Sequence, residues 1–320
     1  MKRKLPAIFE NLTMPVIGSP MFIISNPDLV VEQCKAGIVG AVPALNARPS
    51  SQLDEWITEI RERLDAHDKS AARPAAPFAI NLITHKTNAR LDHDLEVVVR
   101  HKVPLVITSL GARPEVNAAI HSYGGVVLHD VINNTFARKA IEKGADGVIA
   151  VAAGAGGHAG IKSPFALIQE IRQWFDGPLA LSGAMATGNA VLAALAMGAD
   201  FAYIGSAFIA TKEARASEEY KQAIVDGNSD EIVYTNLFTG VHGNYLKRSI
   251  RDTGLDPDHL PDAQARDMNF VDGESKPKAW KDVWGAGQGI GAVQSVSTVA
   301  SLVDRLASEF HAARRRLADC

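Results

Sequence analysis

The sequence predicts an α/β protein in which a short apolar strand and an amphipathic helix alternate eight times. The strands are almost continuously apolar, which is typical of parallel strands that are buried on both faces. Between them, apolar residues recur every three or four positions, as in residues 53–64, and this spacing predicts helices. Glycine stands where three helices should end, at Gly37, Gly144 and Gly198. The eight predicted strands are Pro15–Ser19, Ile38–Pro43, Phe78–Leu82, Leu105–Leu110, Gly125–Val131, Gly147–Ala152, Pro178–Gly183 and Phe201–Gly205.

Eight such units favour a closed (β/α)₈ TIM barrel over an open doubly wound sheet. The alternation stops near Ala210, and residues 212–285 are more polar, with few strand-like runs. We interpret this stretch as a small, mainly helical insertion that caps a barrel formed by residues 1–211 and 286–320. The amphipathic segment Val293–Leu317 then supplies the eighth barrel helix.

Composition places the chain among globular enzymes and excludes several other classes. Of 320 residues, 47% are hydrophobic and 22% are charged, and the net charge of −3 gives no reason to expect a nucleic-acid partner. No apolar run reaches the 18 residues of a membrane-spanning helix. With only two cysteines, Cys34 and Cys320, neither a disulfide framework nor a metal site is indicated, and a cytoplasmic location is expected.

The glycine-rich segment Gly154–Gly160 follows the sixth strand, and it contains His158. In a barrel, the loops after the strands form the catalytic face. Glycine lets the backbone approach a flat or anionic ligand closely, and histidine is the side chain that exchanges protons near neutral pH. His158 is therefore a candidate general base or acid. A flexible loop with an incidental histidine is the alternative interpretation.

Small residues also follow the seventh and eighth strands, in Ser182–Gly188 and Gly205–Phe208. Loops in these two positions often bind phosphate through backbone N–H groups. Two weaker segments are Trp284–Gly291, after the insertion, and Gly18–Met21, at the end of the first strand. For the first two segments, ordinary turn chemistry is the alternative interpretation. For Trp284–Gly291 the alternative is a flexible hinge, and for Gly18–Met21 it is core packing.

These four segments, in this order and at these barrel positions, resemble the nitronate monooxygenase (2-nitropropane dioxygenase) family of FMN-dependent barrels. That family has relatives that act as NADH:quinone reductases, and the FMN-dependent enoyl-acyl-carrier-protein reductases are similar to it. The resemblance covers approximately residues 10–215 and 280–300. It is weakest across the insertion.

The resemblance implies a role for individual residues. Residues 155–160 match the family's Ala-Gly-Gly-His-x-Gly, which implies that His158 is the catalytic histidine. Residues 19–21 match an Ala-Pro-Met that touches the flavin ring, with serine in place of alanine. The residues that the resemblance implies for flavin contact are Ser19, Pro20, Met21, Asn81, His129, Ala155, Gly156, Gly157, Gly287 and Gln288. Those that it implies for the FMN phosphate are Ser182, Gly183, Ala184, Gly205 and Ser206.

The chain departs from the family pattern at three places. Val151 stands where the family usually has glutamine, and Gly154 stands where it usually has glutamate. At the end of the fifth strand, where lysine or glutamine often meets the flavin, the chain has His129 and Asp130. We expect His129 to contact the flavin and Asp130 to point elsewhere.

The resemblance implies an FMN-dependent enzyme that oxidises alkyl nitronates, or nitroalkanes, with O₂ to carbonyl compounds and nitrite. In this hypothesis His158 deprotonates a neutral nitroalkane or stabilises an anionic nitronate. The alternative is an NAD(P)H-dependent FMN reductase of quinones or enoyl thioesters on the same barrel. A binding protein without chemistry is a third hypothesis. The use of NAD(P)H and the formation of a homodimer both stay open at this point.

Overall fold

The structure, a computed structural model, describes residues 5–263 and 280–318. Eight parallel strands form its main sheet, and three short antiparallel strands form a second one. In chain order the strands are β1 (Val16–Gly18), β2 (Gly40–Pro43), β3 (Phe78–Ile83), β4 (Leu105–Ser109), β5 (Val126–Val131), β6 (Gly147–Val151), β7 (Gly157–His158), β8 (Leu179–Ser182), β9 (Phe201–Ile204), β10 (Ile232–Thr235) and β11 (Gly243–Leu246).

The main sheet closes into the predicted barrel. Its order is β1-β9-β8-β6-β5-β4-β3-β2, and a parallel bridge between Ile17 and Val39 joins the first strand to the last. The Gly18 amide donates to the Val39 carbonyl at 2.7 Å, and the Val39 amide donates to the Val16 carbonyl at 3.1 Å. All eight strands predicted from the sequence are confirmed, with bounds that differ by at most two residues.

Helices cover the outside of the barrel, and their caps explain their bounds. Asn26, Asn133 and Thr187 each accept a hydrogen bond from the backbone N–H three residues on, which satisfies one of the free donors at a helix start. Gly37, Gly144 and Gly198 have positive φ and follow helix ends, as predicted. The helices are α1 (Pro27–Lys35), α2 (Gln52–Asp68), α3 (Leu91–Arg100), α4 (Pro114–His121), α5 (Asn134–Glu142), α6 (Pro164–Arg172), α7 (Gly188–Met197), α8 (Ser206–Ile209), α9 (Glu218–Asp226), α10 (Lys247–Asp252) and α11 (Val299–Ala318).

Side chains alternate along the strands between two apolar cores. Residues such as Ile107 and Leu128 point into the barrel, whereas Val106 and Val127 pack under the surrounding helices. At the amino-terminal end of the strands, the Phe9 ring lies 4.6 Å from the Phe201 ring and fills the barrel. The opposite end, where the strands finish, is left for the loops.

The last helix, α11, takes the position of the eighth barrel helix, since it packs between α7 and α1. Residues 212–263, which precede it, contain α9 and α10 and also the hairpin β10–β11, which the polar sequence did not suggest. Part of the predicted insertion, residues 264–279, lies outside the described residues. Within the described ranges, no helix combines the length and the apolar character needed to span a membrane.

Because α7 and α11 are in close contact at Gly188, we predict that Gly188→Ala destabilises the protein. An added Cβ would lie 2.1 Å from the Leu306 carbonyl oxygen and 2.3 Å from the Phe310 amide nitrogen, both backbone atoms. Helix propensity favours alanine by about 1 kcal/mol, but overpacking of this kind costs about 1–3 kcal/mol. We therefore expect a lower free energy of unfolding, measured by urea titration. Asn189→Ala, at the exposed next residue, is the control and should change it by less than about 0.5 kcal/mol.

Candidate active site

A cavity of about 700 Å³ opens at the carboxyl ends of the barrel strands, beneath the insertion. Its size lies within the range of small-molecule sites. Of the sixteen residues predicted for the site, all except Gln288 line this cavity. Gln288 is exposed, although its backbone N–H donates to the Gly154 carbonyl at 2.9 Å.

His158 lies in the loop after β6, half-buried at the cavity wall. Its Nε2 is 2.9 Å from the Thr239 hydroxyl, and the edge of its ring meets the Trp280 indole at a centroid distance of 5.4 Å. Burial lowers the pKa of His158 to about 4, because the apolar surroundings disfavour the imidazolium. The ring is therefore neutral at pH 7 and is able to accept a proton.

The insertion holds this loop through backbone pairing. Strand β7, which contains His158, pairs antiparallel with β11, with Gly243 opposite His158. Asn244 donates from its side-chain amide to the Ala155 carbonyl at 2.6 Å, and Tyr234 donates from its hydroxyl to the Ala159 carbonyl at 2.9 Å. The glycine-rich loop is thus one strand of a small sheet and not a free segment.

Three further loops meet the glycine-rich loop at the cavity wall. The Ala184 amide donates to the Gly154 carbonyl at 3.2 Å, and the Gly287 amide donates to the Ser206 hydroxyl at 2.9 Å. Helix α8 begins at Ser206, and the first N–H groups of a helix have no acceptor within it. This wall is made of small residues and backbone dipoles, which suits a phosphate group.

A chain of hydrogen bonds between polar side chains crosses the barrel mouth from β3 to β5. The Asn81 amide donates to the Ser109 hydroxyl at 2.8 Å, and Ser109 donates to Asp130 Oδ2 at 2.6 Å. The other oxygen of Asp130 is buried and has no hydrogen-bond partner among the described residues. Burial raises the pKa of Asp130 to about 6. The orphaned oxygen leaves this wall able to accept one more polar contact from a ligand.

The expectation that Asp130 points away from the site is wrong. Leu128 faces the barrel interior, so Asp130, two residues on along the same strand, faces the cavity. The side chain of His129 points to the opposite face of β5, where its Nδ1 lies 2.6 Å from the Thr108 hydroxyl. Although His129 also borders the cavity, burial lowers its pKa to about 4 and its ring is already held.

Packing restricts the side chains that Val151 and Gly154, the two departures from the family pattern, could be replaced by. Val151 belongs to the apolar core inside the barrel. Gly154 has φ +83°, and a Cβ there would lie 2.9 Å from Gln288 Oε1 and 3.2 Å from Ala184 Cβ. A glutamate side chain does not fit Gly154 in this arrangement of loops.

Sequence reasoning missed several residues of the cavity wall. Tyr203, on β9, borders it, and burial together with the charge of Asp130 raises its pKa. Ser109 had a signal, because it is the polar residue that ends β4, the strand next to the one that contains Asn81. Trp280 and Thr239 had none, since they reach His158 only through the fold of the insertion. Among the described residues, no group of histidine, cysteine and carboxylate side chains could hold a metal ion.

Comparisons with known proteins identify a family for this chain. The family model described as Nitronate monooxygenase matches residues 5–309. The nitronate monooxygenase of Neurospora crassa is 27% identical over 354 aligned positions, which cover 96% of this chain and 92% of that protein. The (3aS,4S,5R,7aS)-5-hydroxy-7a-methyl-1-oxo-octahydro-1H-indene-4-carboxyl-CoA dehydrogenase of Rhodococcus jostii is 26% identical over 207 positions, or 65% of this chain and 55% of that protein.

A solved structure shows the same fold. The nitroalkane oxidase from Streptomyces ansochromogenes superposes with a TM-score of 0.79 and 24% identity, covering 98% of this chain and 100% of that one.

Because one oxygen of the buried Asp130 carboxyl has no partner, we predict that Asp130→Asn changes the stability of the protein in a pH-dependent way. With a pKa raised from 3.8 to about 6, the folded protein holds an extra proton between these values, so Asp130 costs stability increasingly as the pH rises through this window. The full cost is on the order of 3 kcal/mol. Urea titrations should show that the variant gains more stability over the parent at pH 8 than at pH 5.

The matched control is Asp92→Asn, at an exposed position of α3. It removes a carboxylate from the surface and leaves the cavity unchanged. An equal effect of Asp130→Asn at pH 5 and pH 8 would contradict the assignment of a raised pKa to this carboxyl.

Proposed function

Because the chain belongs to the nitronate monooxygenase family, and is an oxidoreductase of that family, we propose that it uses FMN to oxidise alkyl nitronates or nitroalkanes with O₂ to carbonyl compounds and nitrite. The observation that carries this proposal is the position of His158. Its neutral ring borders a large cavity whose lining also includes small residues and backbone dipoles. We also propose that residues 212–285 form the cap of this cavity.

The residues present fit FMN at both ends. We propose that the loops after β8 and β9 hold the phosphate through Gly183, Ala184, Gly205 and Ser206, where small side chains leave the backbone accessible. The orphaned oxygen of Asp130 offers an acceptor to the ring system, whereas both hydrogens of the Asn81 amide are already donated to Ile107 and Ser109. When bound, FMN supplies the electron transfer between the organic substrate and O₂.

The chain's own contribution to the chemistry is proton transfer and exclusion of water. Hydrogen on the carbon next to a nitro group is acidic, and a neutral imidazole at hydrogen-bond distance can remove it. Trp280 covers one edge of His158 and Thr239 binds Nε2, so bulk water is kept from two sides of the ring. A nitronate that enters already ionised needs no such base.

A second candidate is an NAD(P)H-dependent reductase of quinones or enoyl thioesters. The cavity extends beyond the barrel mouth, past Phe136, to Lys139 and Lys143 on α5 and at its end. An apolar surface with two cations at its far end suits a large substrate that carries phosphate, such as a coenzyme A thioester. The relative named as a carboxyl-CoA dehydrogenase acts on a substrate of that kind.

An anaerobic absorbance scan of the purified protein separates the two candidates. A flavin spectrum that NADH and NADPH leave unchanged, but that a nitronate bleaches, supports the oxidation of nitronates. Nitrite should then form in air without NAD(P)H. Rapid bleaching by either nucleotide would favour the reductase. A colourless protein that cannot be reconstituted with FMN would overturn both.

We predict that His158→Ala separates the two substrate forms. The kcat/KM for a neutral nitroalkane should fall by about 10²–10⁴, the usual contribution of a general base, while the preformed nitronate is still oxidised. In the parent protein the nitroalkane rate should decrease as the pH falls through the pKa of His158 at about 4, since the imidazole must be neutral. Nitrite release at several pH values measures both.

The flavin spectrum of His158→Ala should match that of the parent, which would show that the site is still formed. His311→Ala, on the exposed face of α11, is the control and should behave as the parent does. Full activity of His158→Ala on a neutral nitroalkane would remove His158 from the chemistry.

A further inference from the structure

We propose that Thr239, in the insertion, is a positioning residue that fixes the tautomer of His158, so that Nδ1 is the atom that accepts the proton of the substrate. This inference rests on the proposed function, since it concerns the same histidine. It goes beyond that function because it assigns the proton to one nitrogen and gives the insertion a chemical task.

The hydroxyl proton of Thr239 is already committed. The Thr239 hydroxyl donates to the Val241 carbonyl at 3.0 Å, and it accepts from the Val241 amide at 3.3 Å. A carbonyl oxygen cannot donate, so without the hydroxyl proton the two oxygens would face each other with only lone pairs between them. Towards His158, at 2.9 Å, the hydroxyl can therefore only accept.

It follows that Nε2 of His158 carries the hydrogen. A neutral imidazole has one N–H, so Nδ1 holds the lone pair. Nδ1 has no hydrogen-bond partner among the described residues, and the His158 side chain borders the cavity. The lone pair is thus available to a ligand.

Nothing else in the described part of the chain sets this tautomer. No ion pair joins His158 to a carboxylate, and the departure of its pKa is caused by burial alone. Tyr245 lies near the Thr239 hydroxyl, and burial raises the pKa of this phenol to about 12, so it stays protonated. Its hydroxyl has no partner at hydrogen-bond distance among the described residues and so leaves the bonds of Thr239 unchanged. The catalytic histidine is therefore oriented by a neutral hydroxyl, in the place that a carboxylate takes in other enzymes.

The tight turn around Thr239 makes the hydroxyl a rigid acceptor. Both hydrogen bonds to Val241 close within three residues, between the strands β10 and β11. Because β11 pairs with β7, the same hairpin holds the backbone of His158 at residue 243 and its side chain at residue 239. The distance between acceptor and ring is thereby set by one small sheet.

In the step that results, the C–H bond next to the nitro group breaks and its electron pair stays on the substrate, which becomes the nitronate. The proton forms the new N–H bond at Nδ1, so His158 becomes an imidazolium. Its Nε2–H continues to donate to Thr239. Thr239 does not line the cavity, so it acts only through His158.

The test compares Thr239→Val, Thr239→Ser and Thr235→Val in the full-length protein loaded with FMN. Valine has the shape of threonine without the acceptor, and serine restores the hydroxyl. Thr235 is the matched control, because its hydroxyl also accepts a turn hydrogen bond in the same hairpin, from the Leu237 amide at 3.1 Å, but does not contact His158.

The first readout is the tautomer itself, from nitrogen-15 NMR of histidine-labelled protein, with His158→Gln to assign the signal. The parent, Thr239→Ser and Thr235→Val should show hydrogen on Nε2 and a free Nδ1. Thr239→Val should lose this single tautomer. This measurement needs no substrate, so it stands even if the proposed function fails.

The second readout is the ratio of kcat/KM for a neutral nitroalkane to kcat/KM for its nitronate. Thr239→Val should lower this ratio by about 10-fold or more, within the range that a positioned base contributes. Thr239→Ser and Thr235→Val should keep it. Hydrogen on Nδ1 in the parent, an unchanged tautomer in Thr239→Val, or an equal loss in Thr235→Val would each overturn the proposal.

Discussion

The pairing of β7 with β11 is the contact on which the rest of the site depends. It joins a two-residue strand in the loop after β6 to a hairpin that begins more than 70 residues later in the chain. Without it, Gly154–Gly160 would be a flexible glycine-rich loop, and His158 would have neither a fixed backbone nor an acceptor for its ring. The barrel provides the cavity, and the pairing of β7 with β11 positions His158 at the cavity wall.

Burial acts in opposite directions on the two titratable groups of the cavity. It lowers the pKa of His158 to about 4 and raises that of Asp130 to about 6, because in each case the charged form loses hydration. The result is a base that is neutral at physiological pH and a carboxyl group that ionises close to it. A pair of groups whose protonation is set apart by environment is a frequent arrangement in enzymes.

Most of the barrel could be predicted from the sequence, because strands buried on both faces give long apolar runs that need no knowledge of the tertiary structure. The direction of Asp130 could not be predicted, since Val126, Val127 and Leu128 make both faces of β5 apolar and polar residues then follow on both faces, at His129 and Asp130. Strand β11 was missed because its glycine and asparagine carry little strand signal. Strand β10, Ile-Val-Tyr-Thr, does carry that signal, but it is only four residues long and stands alone in a polar stretch. The partnership of Thr239 with His158 spans 81 residues and exists only in the folded chain. The roles of the cavity residues and the bounds of the cap remain predictions.

The length of chain between β7 and β11 also has a consequence for how the protein folds. Each barrel strand pairs with a neighbour that is close in sequence, apart from the closing pair β1–β9, whereas the side chain of Asn244 reaches Ala155 across 89 residues. Bringing such distant segments together costs loop-closure entropy, and the pair β1–β9 closes an even longer stretch of chain. The histidine loop and the closed barrel therefore both depend on contacts between remote parts of the chain, so the site is complete only when the whole chain has folded.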